Sequence, residues 1–403
     1  MKKKAGDTEQ KQCEEKKIDR RTFLKYGAAL GTAAAVGGVT FQNAGAVDVN
    51  RKLAAGKTRI LGCNPMTSTD GYWDNSTPPA LVVRSGETVE IETGTHLMGK
   101  MIPGADINDW MKWYKEVIEK TPETYTYPDE YTGAKKLKRG GGHHHLTGPI
   151  YIEEALPGDV LQIELLEIIP NAYGFNLYPE TSFQKLGLLA DDFPHGEVRW
   201  YKADFGTKKF EFLPGIEIPI NPFPGTIGVE LPETGMWSNV PPGRHGGNLD
   251  NKDLVAGTAL YLPVWVKGAG LKTGDSHLAQ GHGEVDLNGL EGAFRNITLR
   301  ITVRKDLKHL VDWPMASSPD HWIIMGMHTD LLQSSKMAVR RAIDFLNKYY
   351  GLSRGEAYAF CSMAVDVIVT QLVDYTMGIH AKIPKACFSG PQFVDRNGLL
   401  LKA

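Results

Sequence analysis

The sequence predicts a mainly β protein of sandwich or barrel type, with its main helices in the last quarter. Three observations carry this. Apolar and polar residues alternate with period two in several runs before about residue 304, the period that puts one face of a strand on a core. Pro and Gly punctuate these runs at intervals too short for βαβ units. From about residue 330 the apolar spacing changes to that of an amphipathic helix.

Taken in order, Ala80 to Glu92 alternates across a turn at Ser85-Gly86, and Ile150 to Ile168 does so around Pro157-Gly158. Each reads as a β-hairpin with one wet face. Residues 106 to 139 interrupt the pattern with Trp110, Trp113 and many Lys, Tyr and Glu residues, which predicts a surface insertion with one short helix. Leu260 to Val266 and Asn296 to Arg304 resume the strand period. Asp330 to Tyr350 and Ser353 to Asp374 read as helices, the second opened by a Ser353/Glu356 capping box. Gly378 to Phe388, which contains Pro384, is extended. The expected division is therefore 1–46 as a leader, 47–304 as a β-rich domain and 305–403 as an α+β portion.

The leader reads Asp19-Arg20-Arg21-Thr22-Phe23-Leu24-Lys25, then an Ala/Gly-rich apolar run, then Ala44-Gly45-Ala46. That is the pattern of a twin-arginine export signal cut after Ala46, and its apolar run is too short to span a bilayer. It predicts a periplasmic or secreted protein that meets the twin-arginine translocase and has no stable membrane insertion. Removing residues 1–46 takes nine of 45 Lys/Arg and five of 47 Asp/Glu, leaving a net charge of −6. Nucleic acid and anionic membrane are poor partners for such a chain. Cys63, Cys361 and Cys387 remain, an odd and scattered set that suggests neither a disulfide framework nor an iron–sulfur site.

The chemistry concentrates between Pro242 and Glu284, where His245, Asn248, Asp250, Asp275, His277 and Glu284 stand in Gly-rich turns around one apolar strand. Asp275 and His277 are two apart, so on an extended backbone both point the same way. They form the strongest candidate ligand pair. Each aspartate alone would be an ordinary turn former. Gly140-Gly-Gly-His143-His144-His145 is ambiguous: three consecutive imidazoles cannot all face one ion, and the run also fits an exposed turn. His96 and His321 read as structural histidines. Ser334-Ser335-Lys336 lies on a helical stretch and lacks a serine-amidase setting, and no cysteine has a nucleophile's context.

The runs HGGNLDNKDL, LYLPV and GDSHLAQGHGEV resemble the signature of the acetamidase/formamidase family. LTGPIYIEEALPGDVLQIEL, IPINPFPGTIGV, SPDHWIIMG, EAYAFCSMAVDVIVTQLVD and IPKACF extend the resemblance, in family order, over most of the chain. It implies two interlocked β layers before the α+β portion, assembly as a homodimer or larger oligomer, and metal-dependent hydrolysis of short linear amides such as formamide or acetamide. In that frame Asp275, His277, Asp250 and His144 are the expected ligands of a divalent metal. Their mix of imidazole and carboxylate suits zinc better than calcium. Glu284 is the expected base that activates water, with further ligation as its other role. His245 and Asn248 are expected in the catalytic cleft, Asn248 holding the amide. The chain departs from the family pattern at His282, where Asp is common, and at Asp286 and Leu287, which replace small residues, while Glu291 keeps its place. These three departures are expected to shape the substrate pocket. A γ-lactam is the variant substrate, a non-catalytic periplasmic metal- or ligand-binding protein is the competing class, and a redox protein lacks its cofactor motifs.

Overall fold

A computed structural model describes residues 58–120, 144–180 and 187–389. The leader, His143 and most of the 106–139 insertion lie outside the described residues. Two sheets account for nearly all the strands. In order, the nine-stranded sheet contains Thr58–Leu61, Thr88–Ile91, Phe294–Arg304, Val160–Pro170, Ala259–Pro263, Met315–Ser317, His321–His328, Met377–Pro384 and Asp366–Gln371. The eleven-stranded sheet centres on Leu271–Ala279, which pairs with Phe223–Gly228, His145–Ile152 and Leu290–Gly292.

The inner faces of the two sheets form one core, in which Ile150, Ile227 and Leu271 from one meet Ile91, Ile163, Leu262 and Phe294 from the other. Full burial of such side chains contributes roughly 1.5–3 kcal/mol each. The expected β-rich class holds, and the sheets are interlocked by crossovers that the sequence presented as hairpins. Glu87 N does donate to Arg84 O at 3.1 Å, so the turn at Ser85-Gly86 is real. Its flanks nevertheless part: Leu81–Val83 pairs with His145–Ile152, while Thr88–Ile91 pairs with Phe294–Arg304 in the other sheet. The Pro157-Gly158 turn does the same, with His145–Ile152 in one sheet and Val160–Pro170 in the other. Alternation fixes which face is buried and says nothing about which neighbour supplies the hydrogen bonds.

The C-terminal portion joins the nine-stranded sheet, so no sheet boundary falls at residue 304. Helix Leu331–Tyr350 lies on His321–His328 and Met377–Pro384, burying Ala338, Ala342 and Leu346 among Trp322, Ile379 and Ala381. Gly326 permits this approach, since a Cβ there would sit 2.5 Å from Ser334 O and Ala338 N. The second helix, Arg354–Ala364, ends ten residues before the expected Asp374. Residues 366–371 form a strand, because the β-branched run Val367-Ile368-Val369-Thr370 suits an edge against Met377–Pro384 better than a helix. Helix Ile107–Lys120 is present in the insertion. Its Trp110 and Tyr114 are buried with Leu97, Met101, Phe175 and Leu177, so this part is packed rather than superficial. Among the described residues no helix is long and apolar enough to cross a membrane.

Candidate active site

The central strand Leu271–Ala279 organises a buried cluster of acids and imidazoles. Its register places His277 opposite Glu291 on one side and opposite Phe223 on the other. His144 enters at the start of the neighbouring strand, and Asp250 follows Gly246–Asn248, which pairs with Phe223–Gly228. The other sheet contributes as well: His96 comes from the turn after Thr88–Ile91, and Asp374 from the turn between the last two strands. Asp250, Asp275, Glu284 and Asp374 have positive φ of 46°, 49°, 46° and 61°. Such backbone costs about 1–3 kcal/mol per residue and persists where the surrounding structure enforces it.

Asp275 is the hub. Its Oδ1 lies 2.7 Å from His96 Nε2 and 3.9 Å from His144 Nε2, and its Oδ2 lies 3.4 Å from His277 Nε2. His277 Nε2 is also 3.2 Å from Glu291 Oε2 and 3.8 Å from Asp250 Oδ1. Three groupings of these side chains could hold a metal ion: His96, His144 and Asp275; Asp250, His277 and Glu284; and Asp275, His277 and Glu291. Two ligands on a tetrahedral zinc lie about 3.3 Å apart for bonds of about 2.0–2.1 Å. The spacings around His277 are of that size.

Neighbouring groups aim the candidate ligand atoms. Gln280 Nε2 donates to Asp250 O at 2.9 Å, which turns its Oε1 toward His277 Nδ1 at 2.5 Å. An amide oxygen only accepts, so His277 Nδ1 carries a proton and Nε2 is the atom left for a ligand. Asn239 O plays the same part for His144 Nδ1 at 3.2 Å. Gln371 Nε2 holds Asp250 Oδ2 at 3.0 Å, and Oδ1 faces His277 Nε2 at 3.8 Å. Asp250 and Glu284 share a side-chain hydrogen bond. A Cβ on Gly225 would lie 2.6 Å from Asp275 Oδ2, 2.7 Å from His277 Nε2 and 2.8 Å from Asp250 Oδ1, so a small space bounded by three ligand atoms exists only because residue 225 has no side chain.

The charges are strongly coupled. Burial and then the Asp275 charge push Asp250 up to about 8. Burial, followed by Asp250, raises Glu284 well above the usual carboxylate range, and Asp374 is raised for the same reasons. Burial opposes ionisation of Asp275 too, but His144, His277 and His96 outweigh it and hold Asp275 well below its ordinary value. Burial would neutralise His96 and His277. The carboxylates prevail, taking His96 to about 9 and His277 well above its usual value. Five buried carboxylates around three imidazoles are a donor set that fits a divalent cation, since buried charge is otherwise paired or neutralised.

The structure brings together Asp275, His277, Asp250, His144 and Glu284, and it adds residues that sequence reasoning missed. His96, read as structural, hydrogen-bonds the hub aspartate. Glu291 keeps its family position but carried no local sign of a role, and Asp374 and Gln371 carried no signal at all. Gly225 had one, a glycine inside a strand, which marks close approach of another group. His321 stays outside the cluster, on a strand of the nine-stranded sheet. His145 faces Asp70 instead, at 2.5 Å.

The structure gives several of the expected site residues other contacts. His245 packs edge-on against Trp73 with ring centroids 4.9 Å apart, and burial and then Arg244 push it down to about 3, so its ring stays neutral and belongs to none of the ligand groupings. Asn248 does not present a free amide: Thr226 Oγ1 donates to its Oδ1 at 2.8 Å, and its Nδ2 donates to Asp374 at 3.1 Å. The three departures at His282, Asp286 and Leu287 do not line one pocket either. His282 lies against His380, the rings tilted by 47° with centroids 5.4 Å apart. Asp286 accepts from Asn176 Nδ2 at 3.0 Å and borders an apolar groove of about 310 Å³ lined by Leu189 and Phe193. Leu287 is buried at φ 89°. A turn of this curvature sends successive side chains in different directions.

The sequence pattern of the acetamidase/formamidase family matches residues 135–239 and 233–390, and that of the TAT (twin-arginine translocation) pathway signal matches residues 17–37. Over 315 residues the chain is 26% identical to a formamidase from Methylophilus methylotrophus, covering 60% of this chain and 74% of that protein. An acetamidase from Mycolicibacterium smegmatis is 27% identical over 207 residues, 36% of this chain and 50% of that protein. Among solved structures, an acetamidase from Bacillus halodurans superposes with a TM-score of 0.66 at 26% identity, covering 82% of this chain and 98% of that one. A gamma lactamase from Delftia acidovorans shares the fold, with a TM-score of 0.51 at 21% identity over 88% of this chain and 95% of that one. The family match covers well over half of the sequence and includes every residue of the cluster except His96, so this chain, which carries a twin-arginine export signal, belongs to the acetamidase/formamidase family of amidohydrolases.

Proposed function

We propose that the chain hydrolyses short linear amides of the formamide and acetamide type to a carboxylate and ammonia, outside the cytoplasm, with a divalent metal, zinc by its donor set. The observation that carries this reading is the convergence of Asp275 Oδ2, His277 Nε2 and Asp250 Oδ1 on the space over Gly225, with Glu284 beside them. When bound there, the ion supplies Lewis acidity toward the amide carbonyl and toward water. Glu284, beside Asp250 and His277 and held above the usual carboxylate range by burial, takes the proton of the attacking water and returns it to the departing nitrogen. His96 orients Asp275, Gln280 orients His277, and Gln371 orients Asp250. Asn248 acts one step back, fixing Asp374 rather than touching the amide. The same family likeness extends the reading to a homodimer or larger assembly.

The test is metal analysis of purified protein combined with ammonia release from formamide, acetamide, longer amides and a γ-lactam. Bound divalent ion, with release fastest for the shortest linear amides and abolished by a chelator, is the expected result. Full activity in metal-free protein would remove the metal from the reaction, and a preference for the γ-lactam would replace the linear substrate.

A further inference from the structure

A second group of ligand-type side chains lies outside the cluster that the proposed hydrolysis uses. Asp253, His282 and His380 each offer an atom within 4.8 Å of the others. His380 is fully buried on Met377–Pro384. Its Nδ1 meets Thr370 Oγ1 at 2.7 Å, and its Nε2 is aimed at Asp253. Nε2 lies 3.4 Å from Asp253 Oδ2, close to the spacing of about 3.3 Å between two ligands on a tetrahedral zinc. His282 stands on the open side, its ring 5.4 Å from that of His380, which provides an entry path from solvent. Lys382 Nζ pairs with the same Asp253 oxygen at 2.9 Å, and a carboxylate has enough lone pairs to keep that contact while ligating.

We propose that Asp253, His282 and His380 form a second divalent-metal site, of the imidazole–carboxylate chemistry that suits zinc. Its position gives it a task. Asp253 follows Asp250 by three residues, and His282 precedes Glu284 by two. Gly283, between His282 and Glu284, already exchanges backbone hydrogen bonds with the last strands, its N donating to Thr370 O and its O accepting from Leu372 N, both at 2.9 Å. An ion held by Asp253, His282 and His380 clips the Asp250 loop and the Glu284 turn to one buried strand residue. The binding site stands on its own geometry; the clip rests on the reading of Asp250 and Glu284 as ligand and base.

The experiment strips the full-length mature protein with a chelator, titrates it with Zn²⁺ alone, and counts ions per chain calorimetrically and by elemental analysis. The wild type binds one ion more than His282→Ala and one more than Asp253→Asn. Both positions reach solvent, so a fault in folding at one leaves the other to decide. Asp275→Ala/His277→Ala loses ion from the hydrolytic cluster and retains the ion at Asp253, His282 and His380. Hydrogen exchange at Gly281 to Glu284 slows when Zn²⁺ is added to the wild type and not when it is added to His282→Ala. Equal stoichiometry in the wild type and both single variants overturns the site. Loss of one ion in the single variants, with none lost in the Asp275/His277 pair, upholds the second site and overturns the hydrolytic one.

Discussion

Helix Leu331–Tyr350 begins at Asp330, whose side chain accepts from Gln333 N at 2.8 Å, and ends at Gly351 with φ 74°. The segment from Asp250 to Glu284 uses the same left-handed backbone, but at Asp250, Asp275 and Glu284, where a Cβ makes it costly. In the helix every local choice agrees with the fold: a cap at each end, and small residues where the strand comes close. In the site segment local preference is overridden, and the return is that three carboxylates turn inward toward His277. The two regions are not independent, because the C-terminal layer lends Gln371 and Asp374 to the site. A region built on local consistency serves as the rigid support against which the strained one is held.

Variants can separate the two kinds of construction. The largest effect is expected at Glu284. In Glu284→Gln, kcat falls by about 10² to 10⁴, the scale of a positioned acid–base group, while metal content is retained. Steady-state ammonia release with metal analysis reads both, and loss of the ion would make Glu284 a ligand instead. Next is Gly225→Ala. Residue 225 is outside the left-handed region, so alanine strains no backbone, but its methyl occupies the space bounded by Asp250, Asp275 and His277. Zinc affinity should drop by at least about tenfold, the lower end of what disturbing a metal's surroundings costs. An unchanged titration would place the ion elsewhere. The smallest is Ser353→Ala, which removes the side-chain bond to Glu356 N in the capping box. It should cost about 1 kcal/mol in calorimetric unfolding and leave zinc binding and turnover alone. Any change in zinc affinity there would mean that the supporting layer is less separable than its hydrogen bonds suggest.

This contrast also decides what the sequence could disclose. The helix starting at Asp330 and the Ser353 capping box were legible because their signals are local. So was the shared direction of Asp275 and His277, which period-two alternation requires even though Asp275 itself is kinked. The turns at Ser85-Gly86 and Pro157-Gly158 were legible as turns, but sequential strands pair with each other only about two-thirds of the time, and both of these cross between sheets. His96 lies 179 residues from the aspartate it touches, and only the packing of one sheet on the other unites them. Glu291 owes its place to strand register opposite His277. His282, Asp286 and Leu287 are neighbours in sequence, whereas the turn's curvature divides them among His380, Asn176 and the core.

One cluster built on Asp275 and His277 is proposed to hold the metal on which amide hydrolysis depends. The most direct measurement is the metal content of Asp275→Ala/His277→Ala, set beside its ammonia release from formamide and acetamide, with circular dichroism to verify folding. A folded protein that has lost the ion of this cluster and its activity together is the expected result. A folded double variant with the full wild-type metal content would contradict it.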